Sequence, residues 1–314
     1  MKKEERSGHA LSYQEENEKG STNKQQHQEE TIAQVGQSTA EDETQLDSDE
    51  ARGPASRRLQ LARRAVIFVV SLAVILIAWY IYAINTNPII FATPQSVVSA
   101  TYFLFTKANL AGAIVSVLWL LLLGFGLSVV TGIPIGLIMG RVKIVDEVLD
   151  PYMTAFYVLP RVAMIPLFII WFGFALTTSV LFVYTFSFFP IILTVAQGVK
   201  STDKLFIEVA KIGVASERQI FTKVIIPSSL PYIFAGLRVG LAVAYIGVVL
   251  AQLDLIVTGV GTLLLHGQEF YQTDQILAIL VVLAIIGYLL SEFLKFLERR
   301  FTHGMRYSTL QGMY

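Results

Sequence analysis

The sequence predicts an all-α membrane protein, a polytopic bundle of about six transmembrane helices behind a disordered N-terminal tail. Of the 314 residues, 54% are hydrophobic and 15% are charged, and the mean hydropathy is +0.58. A soluble domain holds about 45–50% apolar and about 25% charged residues, so we expect lipid to cover the excess apolar surface. A transmembrane helix needs about 20 apolar residues, and six segments meet this length. They are residues 65–84, 113–139, 154–176, 179–199, 236–256 and 275–296.

Residues 1–56 are predicted to form a disordered acidic tail in the cytoplasm. The first 50 residues hold 13 acidic and 5 basic side chains, and Tyr13 is their only aromatic residue. Such a segment cannot bury enough apolar surface to offset the conformational entropy that folding removes. The rest of the chain is divided into a transmembrane domain, residues 57–302, and a C-terminal cytoplasmic tail, residues 303–314.

Basic residues determine the predicted orientation, because lysine and arginine accumulate in cytoplasmic loops. Seventeen basic residues near the membrane lie on the side of the two termini, and only Lys107 lies on the other side. Both termini and the connection 200–235 are therefore predicted to be cytoplasmic. Residues 94–107 are predicted to form an amphipathic helix at the outer surface.

Prolines and glycines predict the shape and packing of the spans. The third segment contains Pro160 and Pro166 and should be bent or broken. In the fourth segment, hydroxyl groups near Pro190 should either line a polar path or bond the carbonyls that the proline leaves free. Glycines in the second span should permit close helix contact. The hydroxyl residues are Tyr184, Thr185 and Ser187, and the glycines are Gly124, Gly126, Gly132 and Gly136.

The connection 200–235 is predicted to form two short helices rather than a disordered linker. Residues 203–212 have a helical pattern that ends near Gly213, and Ser216 is a suitable N-cap for a second helix, which Pro227 should stop. Each helix has an apolar face that needs a partner, either the bundle, the lipid headgroups or a groove on a cytoplasmic protein. The apolar residues are Leu205, Ile212, Ile220 and Val224.

A series of short motifs runs from the second span to the end of the sixth. They are Gly132-Ile133-Pro134-Ile135-Gly136-Leu137, Pro166-Leu167, Trp171-Phe172-Gly173, Glu208-Val209-Ala210, Ala215-Ser216, Val224-Ile225-Ile226-Pro227, Leu230-Pro231, Gly236-Leu237-Arg238, Gly259-Val260-Gly261, Gln268-Glu269-Phe270-Tyr271-Gln272-Thr273-Asp274 and Leu297-Glu298-Arg299-Arg300. The loop motifs resemble the EAA loop of bacterial binding-protein-dependent ABC importer permeases. The whole series, which covers residues 65–302, is similar to the sulfonate/nitrate/taurine branch, and the fold it implies is that of a type I ABC importer permease.

Three positions depart from the pattern of that family. The second residue of the EAA triplet is Val209 rather than alanine. The glycine that the family places six residues after the glutamate falls on Val214, with Gly213 one position earlier, so we expect the turn between the loop helices to shift by one residue. The glutamate that the branch tends to carry in the fifth span is replaced by Gln252.

The resemblance implies a permease subunit of an ABC importer in the cytoplasmic membrane of a prokaryote. A solute-binding protein outside the cytoplasm would deliver a small solute, such as a sulfonate, nitrate or taurine, and a separate ATP-binding subunit would drive its transport. In the loop, Glu208 would pair with that ATPase, Ala210 and Gly213 would keep the turn small enough to enter its groove, and Pro227 would fix where the loop ends. Two ATPase subunits need two loops, so a homodimer is expected.

The chain is predicted not to be an enzyme. It has no glycine-rich phosphate-binding loop followed by Lys-Ser or Lys-Thr, so ATP and Mg²⁺ would bind the partner ATPase and this chain would carry no cofactor. The sequence has no cysteine, and its four histidines show no metal-ligand spacing with carboxylates. We therefore expect no metal site and no nucleic acid partner. The expected partners are the ATPase, the solute-binding protein, a second copy of the chain and membrane lipid.

Three residues are candidates for the translocation path, because polar groups inside a membrane are costly and indicate function. Arg161 would attract an anionic solute there; alternatively, its side chain extends to the cytoplasmic headgroups. Tyr245 and Gln252 lie seven residues apart on one helical face, where they either line the path or bond a neighbouring helix.

Two other functions stay open at this point. A permease of the same branch can carry a vitamin or a precursor, such as a thiamine precursor or riboflavin. A self-sufficient secondary transporter would show inverted repeats with discontinuous helices in matching positions, and the two halves of this sequence do not match.

Overall fold

A computed structural model of the chain describes residues 54–255 and 259–302, and over these residues its secondary structure is helical. The chain divides into two compact units, Met1–Ile77 and Ala78–Tyr314. Most of the predicted N-terminal tail and the C-terminal tail lie outside the described residues. The helices are α1 (Pro54–Ile84), α2 (Pro94–Thr106), α3 (Leu110–Arg141), α4 (Lys143–Val158), α5 (Ile165–Phe172), α6 (Leu176–Lys200), α7 (Lys204–Ile212), α8 (Glu217–Ile220), α9 (Ile226–Asp254), α10 (Val260–Glu269) and α11 (Thr273–Thr302).

Five helices within the described residues are long and apolar enough to cross a membrane. Helix α4 and Arg161–Phe172, which meet at a bend of 89°, are together long and apolar enough for a sixth crossing. About six transmembrane segments, with the third one broken, are therefore confirmed. The five unbroken segments are Val66–Ile84, Leu110–Arg141, Leu176–Lys200, Glu217–Asp254 and Thr273–Phe301.

Helix α3 packs in parallel on α6 through small residues at every fourth position. A Cβ atom added to Gly124 would lie 2.6 Å from Cγ1 of Val183, and one added to Gly140 would lie 2.5 Å from Cβ of Val199, so larger side chains do not fit this contact. Gly126 was expected in the same contact, but nothing lies within 4 Å of a Cβ at that position. The facing pairs are Gly124–Val183, Ser128–Ser187, Gly132–Ile191, Gly136–Val195 and Gly140–Val199.

Helix α9 packs on α6 in the antiparallel direction, also through glycines. Residue numbers rise along α9 as they fall along α6, and α6 is largely buried between its neighbours. The packing of α6 against both α3 and α9 forms the centre of the second unit. The α9 contacts are Gly236–Thr194, Gly240–Ile191 and Gly247–Phe186.

The broken segment follows α6 along most of its length. We call the end of the bundle at which α3 and α6 finish, with Arg141 and Lys200, the basic end. Lys200 pairs there with Asp146 of α4 at 2.5 Å. Further along, Phe156 stacks on Phe189 with ring centroids 5.7 Å apart, and the Thr178 hydroxyl donates to Gly173 O (2.8 Å) at the far end of α5. The segment therefore runs antiparallel to α6.

This crossing begins earlier than the sequence indicated. Its first helix starts at Lys143, whereas the apolar segment was expected to start at residue 154. Three acidic residues in the first half of α4 lower its hydropathy below that of an apolar membrane-spanning segment. They are Asp146, Glu147 and Asp150.

Helices α2 and α10 lie at the end of the bundle opposite the basic end. The predicted helix 94–107 is confirmed as α2, which begins with Thr93 as N-cap and Pro94 in its first turn. Its buried residues join one apolar core with the first turns of α3 and α10. The core members from these three elements are Val97, Ala100, Leu104, Leu110, Ala113 and Val260.

Candidate functional site

The loop between α6 and α9 is an ordered structure at the basic end. Its first helix, α7, ends in a pair of hydrogen bonds in which the N–H of Val214 donates to Lys211 O (2.9 Å) and the N–H of Ala215 donates to Ala210 O (3.0 Å). This arrangement is a Schellman motif, which closes a helix with one residue in the left-handed conformation.

The left-handed residue of this motif is Val214, with φ at +57°. Gly213 has φ at −73°, and a Cβ atom added to it would lie 3.5 Å from Ala210 O, so the turn does not need glycine there. The expected shift of the turn by one residue is therefore wrong. The left-handed residue stands where the family pattern has glycine, although in this chain it is a β-branched valine.

The second loop helix begins as predicted but does not end as predicted. Ser216 and Gln219 form a capping box, with N–H groups that donate to Gln219 Oε1 (2.8 Å) and to Ser216 Oγ (3.3 Å). The prediction that Pro227 stops this helix is wrong, because Glu217–Asp254 is one continuous helix. A π turn at Phe221–Ile225 precedes Pro227. Its hydrogen bonds span five residues instead of four, and this wider turn accommodates the proline, which lacks an N–H and crowds the turn before it.

Three contacts anchor the loop to the spanning helices. Arg141 at the end of α3 forms an ion pair with Glu217 of α8. The hydroxyl groups of Thr202 and Ser228 lie 3.0 Å apart across the base of the loop. In the third contact, the inner face of the loop packs on a buried apolar cluster. The inner-face residues are Ile207, Ala210 and Ala215, and the buried cluster is Val199, Ile220 and Ile225.

The outer face of the loop is apolar and exposed. Ile212 is 82% exposed and Val214 is 90% exposed. Glu208 lies three residues after Leu205 and four before Ile212, hence on the same helical face, and none of the ion pairs within the described residues includes it. Contiguous exposed apolar surface marks interaction sites. We define the loop patch as Leu205, Phe206, Val209, Ile212 and Val214.

The first of the two predicted apolar faces contributes to this patch, whereas the second is covered. Leu205 and Ile212 are exposed, but Ile220 is 1% exposed because it packs under the loop. The exposure of Phe206, Val209 and Val214 was not predicted from the sequence. The sequence signal for their exposure was their position next to Leu205 and Ile212, on a short helix that also carries charged residues.

Arg161 lies near the middle of the bundle. Its guanidinium donates from Nη1 to Phe186 O (3.2 Å) and from Nη2 to Tyr157 O (3.1 Å). Phe186 is fourteen residues before Lys200 at the basic end of α6, about 21 Å along a helix. In this structure the guanidinium bonds two main-chain carbonyls rather than extending along the bundle towards the basic end.

The proline in α6 explains one of these bonds. Pro190 has no N–H to donate to Phe186 O, four residues earlier, and Arg161 donates to this carbonyl instead. The nearby hydroxyls have other acceptors: Thr185 donates to Phe182 O (2.7 Å), and Ser187 donates to Ser128 Oγ (2.7 Å). Arg161, rather than one of these hydroxyl groups, therefore bonds the carbonyl that Pro190 leaves free.

A cavity of about 310 Å³ lies beside Arg161, between the broken segment and α6. Its wall is largely aromatic, and the surface that it exposes is almost entirely apolar. Trp171 and Phe172 belong to one of the sequence motifs, but their position beside Phe189 of α6 was not predicted. This position depends on the bend within the broken segment. The aromatic lining residues are Phe156, Phe168, Trp171, Phe172, Tyr184 and Phe189.

The other two path candidates are bonded to neighbouring helices. Gln252 is 1% exposed; its Nε2 donates to Ser116 Oγ of α3 (3.0 Å), and its Oε1 accepts from the N–H of Val260 at the start of α10 (2.8 Å). Tyr245 donates from its hydroxyl to Leu283 O of α11 (2.8 Å). Both side chains therefore join helices in this conformation, which is the alternative to lining the path.

The part of the chain that the structure describes contains no group of three or more His, Asp or Glu side chains placed to hold a metal ion. The two candidate functional features are the loop patch at the basic end and the open cavity beside Arg161, between the broken segment and α6.

Comparison with known proteins gives the family. The sequence matches the model of the binding-protein-dependent transport system inner membrane component over residues 132–307. It is 35% identical over 265 residues to the taurine transport system permease protein TauC of Escherichia coli (strain K12), covering 79% of this chain and 95% of that protein. It is 32% identical over 208 residues to SsuC of Bacillus subtilis (strain 168), named for aliphatic sulfonates transport, covering 66% of this chain and 75% of that protein.

The fold is shared with a solved transporter. A chain of the MetNI methionine ABC transporter in inward-facing conformations superposes with a TM-score of 0.55 at 18% identity, covering 62% of this chain and 96% of that chain. The helix arrangement is thus that of a type I ABC importer permease. On the family match and the relatives, this chain belongs to the inner membrane components of binding-protein-dependent transport systems and is a multi-pass ABC importer permease of the sulfonate/nitrate/taurine branch.

Proposed function

We propose that the chain transports a small anionic solute received from a solute-binding protein, driven by a separate ATP-binding subunit that docks on the loop patch. The observation that carries the proposal is the loop patch itself. It combines exposed apolar residues with the exposed carboxylate of Glu208 on a short, firmly anchored helix. An apolar centre beside a charged group is typical of a protein interface.

The anchoring of the loop provides a route for mechanical coupling. The loop leads directly from α6 into the helix Glu217–Asp254, and the pair Arg141–Glu217 joins it to α3. A displacement of the docked subunit would therefore move three spanning helices together, as in rigid-body rocking of a packed bundle. In the proposed assembly, two copies of the chain supply two loops, and the ATP-binding subunits hold the ATP and Mg²⁺.

In this assembly the basic end faces the cytoplasm, as expected for an end rich in lysine and arginine. Both termini are proposed to be cytoplasmic as well. The opposite end, with α2 and α10, faces the solute-binding protein.

The proposed solute is a sulfonate or a similar small anion. Taurine and aliphatic sulfonates are named for two relatives, and Arg161 places a cation inside the membrane domain of this chain. Arg161 is accordingly proposed to face the path. Tyr245 and Gln252 would line it only in a conformation that breaks their bonds to α11, α3 and α10.

The charge of Glu208 tests the docking site. The chain is co-expressed with its ATP-binding subunit, and retention of that subunit on affinity-purified permease is measured. Glu208→Lys should leave the yield of folded permease unchanged and abolish retention, because a reversed charge loses a contact and adds a repulsion, together about 2–5 kcal/mol.

The matched control is Glu269→Lys, an equal charge change on the exposed surface of α10 at the opposite end. This variant should retain the ATP-binding subunit as the unmodified chain does. Normal retention and solute-stimulated ATPase activity with Glu208→Lys would exclude the loop patch as the docking site.

A further inference from the structure

We propose that the ion pair between Arg238 of α9 and Glu298 of α11 is a mechanical link, which passes the movement of the loop to the last spanning helix. The inference rests on the proposed function, because it takes the loop patch as the surface that the ATP-binding subunit moves. The two residues belong to sequence motifs that the candidate functional site does not use. These motifs are Gly236-Leu237-Arg238 and Leu297-Glu298-Arg299-Arg300.

Helix α9 is joined to the loop by the chain itself, whereas α11 is not. The loop continues into the helix Glu217–Asp254, so a displacement of the loop acts directly on α9. Helix α11 follows only after α10, at the opposite end of the bundle. A displacement of the loop must therefore reach α11 through side-chain contacts, and α9 is the neighbour that carries the loop.

Arg238 lies on the side of α9 that faces away from α6. Gly236 and Gly240 face α6, and a helical residue midway between positions i and i+4 points to the opposite side. There the guanidinium of Arg238 donates from Nη2 to Oε2 of Glu298. Helices α6 and α11 thus lie on opposite sides of α9.

Two further contacts hold the same helix pair. Phe234 stacks on Phe301 with ring centroids 6.1 Å apart, and the hydroxyl of Tyr245 donates to Leu283 O (2.8 Å). Residue numbers rise along α9 as they fall along α11, so the two helices are antiparallel and α11 ends at the basic end. The ion pair lies between these two contacts, in the part of the helix pair nearer to the loop.

The charges give this contact a direction. Hydrophobic contact is non-directional, so apolar surfaces can slide past one another with little loss, whereas a charge-assisted hydrogen bond fixes two groups opposite each other. The side chain of Glu298 is 25% exposed and that of Arg238 is 43% exposed, and a carboxylate within a membrane domain is costly without its partner. The pair therefore resists both separation and sliding of the two helices.

Amide hydrogen exchange tests the link in the complete complex with the ATP-binding subunit, and it needs no identified solute. The complex in nanodiscs is compared without nucleotide and after trapping with ADP and vanadate. In the unmodified chain, trapping should change the exchange of the loop, residues 204–220, and that of residues 290–302 in α11, each by about twofold or more. Arg238→Gln should keep the response of the loop and lose the response of α11.

Two variants distinguish a mechanical link from a contact that only stabilises the fold. Lys295→Gln is the matched control, because it removes a positive charge of similar exposure, 39%, from a pair with Glu292 that stays within α11. It should leave both responses intact. Arg238→Glu combined with Glu298→Arg reverses the charges of the pair and should restore the α11 response. If Arg238→Gln only lowers the yield of folded permease and α11 still responds, the proposal is wrong.

A covalent bond at the same place distinguishes a link from a gate. The chain has no cysteine, so Arg238→Cys combined with Glu298→Cys allows one cross-link within the chain, made with a short bis-maleimide before the ATP-binding subunit is added. The chain without the cross-link should lack the α11 response, and the cross-linked chain should regain it. If the cross-link abolishes the responses of both α11 and the loop, the pair must separate during the cycle. If no cross-link forms, the two positions are not adjacent. Either result overturns the proposal.

Failure of the proposed function is seen separately. If trapping changes neither the loop nor α11 in the unmodified complex, or if Glu208→Lys retains the ATP-binding subunit, the docking site is wrong and the link is wrong with it. If the loop responds and α11 responds equally in the unmodified chain and in Arg238→Gln, only the link is wrong.

Discussion

Val214 is a β-branched residue in the left-handed conformation, and replacing it with glycine should stabilise the loop. The left-handed conformation costs a residue with a Cβ atom about 1–2 kcal/mol, whereas the added freedom of glycine in the unfolded chain costs about 0.5–1 kcal/mol. The side chain is 90% exposed and therefore loses little buried contact on removal. The net expectation for Val214→Gly is a gain of about 0.5–1 kcal/mol in the stability of the turn.

Amide hydrogen exchange of residues 204–220 in the purified permease measures this gain. The N–H of Ala215, which bonds Ala210 O across the turn, should exchange about two- to fivefold more slowly in Val214→Gly. Gly213→Ala should also slow exchange or leave it unchanged, because Gly213 has φ at −73° and space for a Cβ atom. If Gly213→Ala accelerates exchange and Val214→Gly does not slow it, residue 213 is the left-handed one and the reasoning is refuted.

Two further variants test the packing inside the bundle. Gly140→Ala should lower the free energy of unfolding of the purified permease by about 1–3 kcal/mol, measured as a lower midpoint of thermal unfolding, because its Cβ would lie 2.5 Å from Cβ of Val199. Gly126→Ala is the control, because nothing lies within 4 Å of a Cβ at that position. Equal midpoints for the two variants would contradict the α3–α6 contact. Gln252→Leu should lower stability by about 1–3 kcal/mol, since it leaves the buried N–H of Val260 without an acceptor; an unchanged midpoint would show that this N–H finds another partner.

The features that sequence predicted best are those that depend on neighbouring residues alone. Apolar length located five unbroken spans, and the Ser216 cap and the helix after Pro94 were found from local capping rules. The break in the third span was predicted from its prolines. Each of these features follows from backbone chemistry or hydropathy within a few residues, so the fold class and the position of the loop needed no tertiary information.

The errors share a different origin, which is tertiary contact. Hydropathy does not reveal the start of α4, because Asp146 lowers the hydropathy of that helix, although the pair with Lys200 accommodates the charge at the basic end. Pro227 was expected to end a helix, but a π turn absorbs it within a long helix held by packing on α6. In both cases, a contact from another element outweighs the local preference.

The exchange of glutamate for glutamine in the fifth span can be explained by the bonds that Gln252 makes. Its Oε1 accepts from the N–H of Val260 while its Nε2 donates to Ser116 Oγ, so the site uses one acceptor and one donor. A carboxylate can accept from the same N–H, but it cannot donate, and it would require the serine hydroxyl to turn from Ala113 O, to which it now donates at 2.7 Å. The amide therefore completes a connection between α3, α9 and α10 without placing a negative charge in the interior.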